Sequence, residues 1–452
     1  MILIPSKTVR RRDAILTALS AAAALTAPVP VFAQQTAGGR SAVIDVANAR
    51  NAPIPVAVTD LGGGSLGAAV SAVVTNDLVR SGLFRPIDRA AFIQSGPSSG
   101  GTPNFENWKP TGAQALVTGQ VFDDGGQIRV EFRLWDVLPG QQIQGTLFTG
   151  PRAQWRRVAH RMADAIYQRL LGEPGYFDTK VVYVSSLGPK ERRVRRLAIM
   201  DQDSENQRYL TDGTWLALTP RFNPRRDEIV YMSYANNRPR VVSLNVLSGG
   251  QTPLGQFDTM TFSPRFSPDG GIVVMAAANG GGSDIVTVSG GSVRRLTSSG
   301  AIDVSPCFSP DGSRIVFASD RGGDQQIYVM GAGGGSAQRI SFGGGRYGTP
   351  VWSPRGDLIA FTRYAGDTSN FAIGVMRPDG SGERSLADGW LVEGPTFAPN
   401  GRVLMFWRET RGDSRGAGFS ARLYSIDVTG FHEQAVPTPT DATDPAWSGF
   451  GI

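Results

Sequence analysis

Hydrophobic and polar positions alternate in short runs over the second half of the chain, and one pattern recurs among them. It consists of a proline, any residue and an aromatic residue, followed in most copies by a small polar residue and a second proline. Its six copies begin at Pro220, Pro264, Pro306, Pro350, Pro395 and Pro445, at spacings of 44, 42, 44, 45 and 50 residues. A fixed period of this length indicates a repeat architecture in which each copy belongs to one structural unit.

Each unit is expected to contain four short strands. After the copy at Pro306 come an Asp-Gly turn, a strand over residues 314–318, a polar turn and further strands over 326–330 and 338–341. Four strands in about 45 residues are typical of a β-propeller blade. Because one small sheet cannot bury both of its faces, blades stack around an axis and bury each other.

The two ends of the repeat region complement each other. The last copy is only one strand long, while the predicted strands 180–185, 195–200 and 207–211 have no opening strand. We therefore predict that the C-terminal strand completes the sheet begun near residue 180. The ring then has six blades and occupies residues 177–452.

Residues 47–176 lack this period, and their pattern predicts a small separate domain that contains both helices and strands (α/β). The fold class expected for this N-terminal part is α+β. Apolar positions with helical spacing occur over 66–80 and 155–170. Alternating positions predict strands over 54–59, 116–122, 127–137 and 142–148, with a further strand over 42–46.

The first 33 residues have the parts of a secretory signal peptide. Lys7 and three arginines precede an apolar run over 14–27, and small residues lead to an expected cleavage after Ala33. The run is shorter than the roughly 20 residues needed to span a membrane, so we expect an exported chain without a span. Export by the Sec or the twin-arginine route stays open. The segment 34–46, which is glycine-rich over 34–40, is expected to be mobile or loosely docked.

Composition excludes several classes of function. Without the four positive residues of the signal and Asp13, the formal charge falls from +6 to +3. The arginines are scattered, so we expect no nucleic-acid partner. The single cysteine, Cys307, excludes an intramolecular disulfide and a cysteine zinc site. The only histidines are His160 and His432, and we expect neither a cofactor nor a metal.

One glycine-rich stretch matches two catalytic motifs. Residues 63–67 (GGSLG) fit the nucleophile elbow, and Gly62, Gly64 and Gly67 fit the dinucleotide fingerprint. A catalytic triad needs a histidine within reach, and His160 is predicted on the surface face of a helix. A dinucleotide fold needs repeated βαβ crossovers, whereas residues 116–137 predict a hairpin. We therefore interpret the stretch as a turn that leads into a helix.

Aspartates beside glycine recur in the predicted blade turns, at positions 269, 311, 357 and 379. Carboxylates can act in acid–base catalysis, but recurrence once per blade is typical of turn residues. Cys307 is interpreted as a small core residue and His432 as a solvated turn residue. Occupation of the central channel by an ion stays open.

The junction between the two predicted domains carries a family resemblance. Residues 159–167 (AHRMADAIY) and 172–178 (GEPGYFD) resemble the domain junction of the TolB family, the periplasmic components of the Tol–Pal system. Residues 375–380 (VMRPDG), 393–395 (EGP), 399–405 (PNGRVLM) and 437–441 (PTPTD) are similar to the same family. The resemblance extends over nearly the whole mature chain.

The resemblance implies a non-enzymatic scaffold with a six-bladed propeller. Such proteins bind the lipoprotein Pal through the propeller and the inner-membrane-anchored protein TolA through the extreme mature N-terminus. The system keeps the outer membrane intact and supports constriction at cell division. Other outer-membrane-associated proteins stay open as partners. For TolA binding we single out Gln34, Gln35, Arg40, Val43 and Ile44.

The Pal surface is expected at one mouth of the propeller channel. If each repeated proline opens an innermost strand, the residues before it form six loops that converge there. These residues are Leu218, Thr219, Met260, Ser263, Val304, Ser305, Gly348, Thr349, Glu393, Gly394, Thr443 and Asp444. Because interfaces concentrate their energy in a few anchors, Met260, Val304 and Glu393 are expected to contribute most. The purpose of the insert 410–421 stays open.

Two other classes of function compete with a scaffold. The propellers of prolyl-oligopeptidase-like peptidases use similar Ser-Pro-Asp-Gly turns, but such an enzyme needs a further domain with a serine, an aspartate and a histidine. A propeller that binds a sugar or a metal is the other alternative, which calorimetry would test.

Overall fold

The computed structural model describes residues 52–93, 101–189, 192–365, 370–412 and 418–451. The predicted signal peptide, the segment 34–46 with its strand, and all five residues singled out for TolA binding lie outside these ranges. Within the described residues, neither helix has the length and apolar character that crossing a bilayer requires.

The N-terminal domain is a mixed five-stranded sheet with two helices. Its elements are β1 Ile54–Val58, α1 Gly64–Arg80, β2 Phe84–Pro86, β3 Ala115–Asp123, β4 Gln127–Asp136, β5 Gln141–Pro151 and α2 Trp155–Leu171. The sheet order is β2-β1-β3-β4-β5. β1 runs parallel to both of its neighbours, and β3, β4 and β5 are antiparallel.

Successive side chains along the strands point to opposite faces of this sheet, and each face packs against its own apolar cluster. On one face Val117 and Val130 pack with the apolar stripes of the two helices, including Val70 and Met162. On the other face residues such as Leu116 join a second cluster around Trp108, which is supplied by the segment between β2 and β3. α2 ends where Gly172 takes a left-handed conformation, with φ of 74°, a common helix terminator.

The second domain is a propeller with four antiparallel strands in each of six blades. Its first three strands are β6 Lys180–Leu187, β7 Val194–Asp201 and β8 Arg208–Tyr209. The first blade contains β9 Ala217–Phe222, β10 Glu228–Ser233, β11 Arg240–Asn245 and β12 Gln251–Pro253. The second contains β13 Thr261–Phe266, β14 Val273–Ala278, β15 Ser283–Ser289 and β16 Ser292–Arg295.

The remaining blades repeat this plan. The third contains β17 Asp303–Phe308, β18 Arg314–Ser319, β19 Gln326–Gly331 and β20 Gln338–Arg339. The fourth contains β21 Arg346–Trp352, β22 Ile359–Ala365, β23 Asn370–Met376 and β24 Arg384–Gly389. The fifth contains β25 Leu391–Phe397, β26 Val403–Thr410, β27 Ser420–Asp427 and β28 Gln434–Val436, and the last strand is β29 Asp441–Trp447.

The predicted closure of the ring is confirmed. β29 pairs antiparallel with β6, and the sixth blade has the order β29-β6-β7-β8. One blade therefore joins the two ends of the propeller region. Closure pairs the inner edge of β6, and the outer edges that remain in the described blades are the short outermost strands such as β8 and β12.

The strand directions give the propeller two distinct ends. We call one end the linker-side face, because the segments that connect successive blades lie there; they are residues 210–216, 254–260, 296–302, 340–345, 390 and 437–440. The opposite end carries the turns between the first two strands of each blade, and we call it the turn-side face.

The N-terminal domain contacts the turn-side face. The Arg355 guanidinium donates a hydrogen bond to the Glu173 carboxylate at 2.7 Å, and the Asn400 amide donates to the Pro174 carbonyl at 3.1 Å. The Gln434 amide likewise donates to the Arg80 carbonyl at 2.7 Å. Asn400 and Arg355 both lie in turns that follow an innermost strand, so the contacts of the described residues of this domain are on the turn-side face and not on the linker-side face.

Candidate protein-binding site

A β-bulge interrupts the innermost strand of every blade at the repeated proline. In the third blade the register of β17 on β18 shifts between Val304 and Cys307, and the same shift occurs in the other five blades. Proline has no N–H to give to a strand ladder, so a bulge is where a strand tolerates it. The repeated proline is therefore a feature of strand geometry.

The residue before each proline has a left-handed backbone. Its φ is between 47° and 53° in five blades and 67° at Gly394; the five are Thr219, Ser263, Ser305, Thr349 and Asp444. A positive φ is uncommon outside glycine and is an outlier for a β-branched residue such as threonine. Strained conformations of this kind concentrate at functional sites, and here they form a ring around the axis.

The prediction that these positions form loops in front of the strands is wrong. The innermost strands begin at Ala217, Thr261, Asp303, Arg346, Leu391 and Asp441, so eleven of the twelve predicted Pal-contact residues lie inside them. Met260 alone precedes its strand. The proline-x-aromatic pattern shows where the proline lies but gives no register, so the bulge could not be seen in it. The twelve positions nevertheless lie toward the linker-side mouth.

Two carboxyl groups lie at this mouth, one in each of two neighbouring blades. The Tyr364 hydroxyl donates to Glu393 at 3.0 Å. Burial raises the pKa of Glu393, against this hydrogen bond. Burial also raises the pKa of Asp444, against the positive charge of Arg221. These groups form an acidic sector on one side of the mouth.

Large apolar side chains are exposed along the linker-side face. Five of the six blade linkers carry one; they are Trp215, Met260, Ile302, Phe342 and Trp390. Arg411, in the insert of the fifth blade, lies over the Trp390 ring at 4.6 Å. Scattered exposed apolar groups are ordinary, but one in each of five linkers at the same end of the propeller is a pattern typical of a protein-binding surface. Sequence reasoning found only Met260, because the linkers could not be assigned to one face without the strand directions.

The glycine-rich stretch is a turn, as interpreted from the sequence. Gly63 and Gly64 have φ of 108° and 67° and lead into α1. A Cβ at Gly67 would lie 2.1 Å from the Leu61 carbonyl oxygen, so close backbone packing requires glycine there. Ser65 is exposed on this helix start.

The prediction that His160 faces solvent is wrong. It is 2% exposed and its Nδ1 lies 2.6 Å from the Asp77 carboxylate. Burial alone would lower the pKa of His160, but the hydrogen bond and charge of Asp77 outweigh it, and the pKa is raised. The face of α2 that looks polar in the sequence packs against α1 and the turn-side face, where Gln202 donates to Asp77 at 2.9 Å.

Asp77, His160 and Asp203 have the donor atoms of a metal site within 4.8 Å of one another. Protein donors already occupy those oxygens. His160 and Gln202 bond the two oxygens of Asp77, and Arg156 pairs with Asp203. The cluster is therefore a charged hydrogen-bond network between α1, α2 and the propeller.

The other candidate groups have structural roles. Asp311 accepts hydrogen bonds from Ser309 and Ser313, which lower its pKa to about 2 and keep it ionised as a turn acceptor. Cys307 is buried, in agreement with its interpretation as a small core residue. His432 is exposed, as expected, although its ring lies over Gly82 at the end of α1.

Two family descriptions match the sequence in these two domains. "TolB amino-terminal domain" matches residues 42–143, and "TolB beta propeller domain" matches residues 167–451. Together they cover most of the chain and follow its division into a mixed-sheet domain and a propeller.

Several known proteins are similar over most of their length. The Tol-Pal system protein TolB of Gluconobacter oxydans (strain 621H) is 53% identical over 443 residues, which is 97% of this chain and 95% of that protein. The protein of the same name from Paramagnetospirillum magneticum (strain ATCC 700264 / AMB-1) is 52% identical over 411 residues, 90% of this chain and 92% of that protein. The crystal structure of TolB from Acinetobacter baumannii has a TM-score of 0.77 at 27% identity, covering 88% of this chain and 97% of that one.

Proposed function

The chain belongs to the TolB family of Tol-Pal system proteins, and from this premise we propose that it is a non-catalytic periplasmic scaffold. It binds the lipoprotein Pal on the linker-side face of the propeller and TolA through the segment that follows the signal peptide. In this role it supports the integrity of the outer membrane and its constriction at cell division.

The observation that carries the Pal assignment is the uncovered linker-side face. The N-terminal domain contacts the turn-side face through Asn400 and Arg355, so the end that its described residues leave open to a folded partner is the linker-side face. That end combines five exposed apolar linker residues with the acidic pair Glu393 and Asp444. Aromatic anchors surrounded by polar groups are what protein interfaces use.

A non-catalytic role is supported by the positions of the serine and the histidine that a catalytic triad would need. His160 is held by Asp77 in the interior, while Ser65 is exposed at the start of α1. A serine nucleophile needs its base within hydrogen-bond reach and access to substrate, and a histidine that is 2% exposed does not provide this.

A pair of matched variants tests the Pal surface. Val304→Arg places a charged side chain in the linker-side mouth, next to the bulge of β17. Leu247→Arg makes the same kind of change at a residue that is 76% exposed on the turn-side face. We expect Val304→Arg to weaken binding of the soluble Pal domain at least about tenfold, which corresponds to about 1.4 kcal/mol, and Leu247→Arg to leave it unchanged. Isothermal titration calorimetry measures the affinity of both variants for the Pal domain, and far-UV circular dichroism checks that both are folded. Unchanged binding by a folded Val304→Arg protein would contradict the assignment.

A deletion tests the TolA segment separately. Removing residues 34–41 is expected to weaken capture of TolA and to leave capture of Pal intact, because the two partners use different parts of the chain. Gln34, Gln35 and Arg40 lie in the deleted part, while Val43 and Ile44 remain. Loss of capture of both partners, or of neither, would count against the assignment.

A further inference from the structure

A cavity lies on the propeller axis between the linker-side bulges and the turn-side face. It has a volume of about 220 Å³ and is lined by residues of all six blades. The middle residue of the repeated proline-x-aromatic pattern supplies five of its lining positions. In blade order the six middle residues are Arg221, Arg265, Cys307, Val351, Thr396 and Ala446; all except Val351 line the cavity.

Charge enters this cavity from two adjacent blades only. Arg221 and Arg265 occupy the same position in the first and second blades, and the other four middle residues are a cysteine, a valine, a threonine and an alanine. Aromatic rings, including those of Trp352 and Trp447, form much of the remaining wall. The cavity is therefore a partly open space with a mainly apolar wall and two guanidinium groups on one side.

The protein itself does little to neutralise these two groups. Among the described residues, no ion pair within 4.0 Å includes either arginine. The Arg221 guanidinium donates to the Pro220 carbonyl at 2.7 Å. Burial first, and then the charge of Arg265, lower the pKa of Arg221 to about 9, while Asp444 opposes the shift. Burial also lowers the pKa of Arg265.

We propose that Arg221 and Arg265 form a binding site for a small oxyanion, a phosphate or carboxylate group, in the axial cavity of the propeller. Guanidinium groups bind such anions through paired, charge-assisted hydrogen bonds. An anion between them would replace repulsion between two like charges by attraction, and attraction is stronger away from bulk water. The Thr396 hydroxyl accepts from the Trp447 backbone N–H at 3.2 Å, which leaves its proton as a further donor.

Thermal unfolding of the purified protein with and without inorganic phosphate tests the site. Ionic strength is held constant with chloride, and acetate in a third arm represents carboxylates. A ligand that binds only the folded state raises the unfolding midpoint in a saturable way. We expect such a rise with phosphate, acetate or both. It should be lost in Arg221→Gln and Arg265→Gln and kept in Arg226→Gln, which removes an exposed arginine from the nearby turn.

The stability of the variants in chloride alone separates loss of binding from loss of folding. Because each glutamine substitution removes one of two repelling charges, we expect these variants to unfold no earlier than the original protein. Calorimetry with phosphate or acetate should show affinity at least about tenfold lower in them. The proposal is overturned if neither anion raises the midpoint, or if the rise persists in both Arg221→Gln and Arg265→Gln.

Discussion

A substitution of Trp447 in β29, the closing strand of the propeller, tests how this strand is fixed to the segment that connects the two domains. Trp447 ends β29 and is 8% exposed. Its indole N–H donates to the Thr179 hydroxyl at 2.8 Å, and its ring meets that of Tyr176 edge-on, with centroids 5.6 Å apart. Trp447 thus joins the last strand to the segment that connects α2 with β6.

The structure sets the size of the effect of Trp447→Ala. Truncating a buried tryptophan to alanine costs about 3–5 kcal/mol, and the lost hydrogen bond adds about 1 kcal/mol. Thr179 keeps a partner, because its hydroxyl donates to the Tyr176 carbonyl at 2.6 Å. We therefore expect the free energy of unfolding to fall by about 5 kcal/mol. Trp447→Phe, which keeps most of the packing, should lose about 1–2 kcal/mol.

Denaturant unfolding measures these losses. It is followed by far-UV circular dichroism and not by tryptophan fluorescence, because the substitution removes one of the fluorescent tryptophans. Phe450→Ala is the control, because this side chain is three residues away and 52% exposed; its loss should stay within about 0.5 kcal/mol. A Trp447→Ala protein no less stable than Phe450→Ala would refute the role of this residue in closing the ring.

Two further predictions concern the domain junction and the bulges. By NMR, the His160 imidazole should titrate above its ordinary pKa of about 6.5 in the original protein and at a lower pH in Asp77→Asn, where the hydrogen bond and charge of Asp77 are lost and only the charges of Asp203 and Asp201 still oppose burial. Because its folded pKa is raised, its contribution to stability is fully present below about pH 6.5 and is lost as the pH rises through the folded pKa; titration of His160 below 6.5 would contradict this. At Ser305, where φ is 53°, glycine should change the free energy of unfolding by less than about 1 kcal/mol, whereas valine should lower it by at least about 1 kcal/mol, measured by denaturant unfolding. Equal effects of glycine and valine would show that the backbone there is not strained.

The repeat carries most of the information about the fold. Six copies at a near-constant spacing define six blades, and the incomplete units at the two ends predict which strand closes the ring. These inferences depend only on the order of strands along the chain. The sequence does not predict strand β2, because it has three residues, one of them a proline, and its pairing with β1 depends on a crossover rather than on a local pattern.

The candidate site needed information that a repeat does not contain. The left-handed residues at Thr219 and Thr349 follow from a register shift between two strands, which no composition rule reveals. The burial of His160 does not follow from the sequence for a different reason. A polar helix face usually meets solvent, but here a buried carboxylate, Asp77, from another helix pairs with the histidine and makes a polar interior face stable.

The central claim is that the folded partner docks on the linker-side face. Amide hydrogen exchange of the protein alone and in complex with the soluble Pal domain tests it most directly. We expect slower exchange in the complex over linkers and strand starts such as residues 254–263 and 296–305. We expect no change in turn-side segments such as 223–227 and 267–272. Protection confined to those turn-side segments or to the N-terminal domain would contradict it.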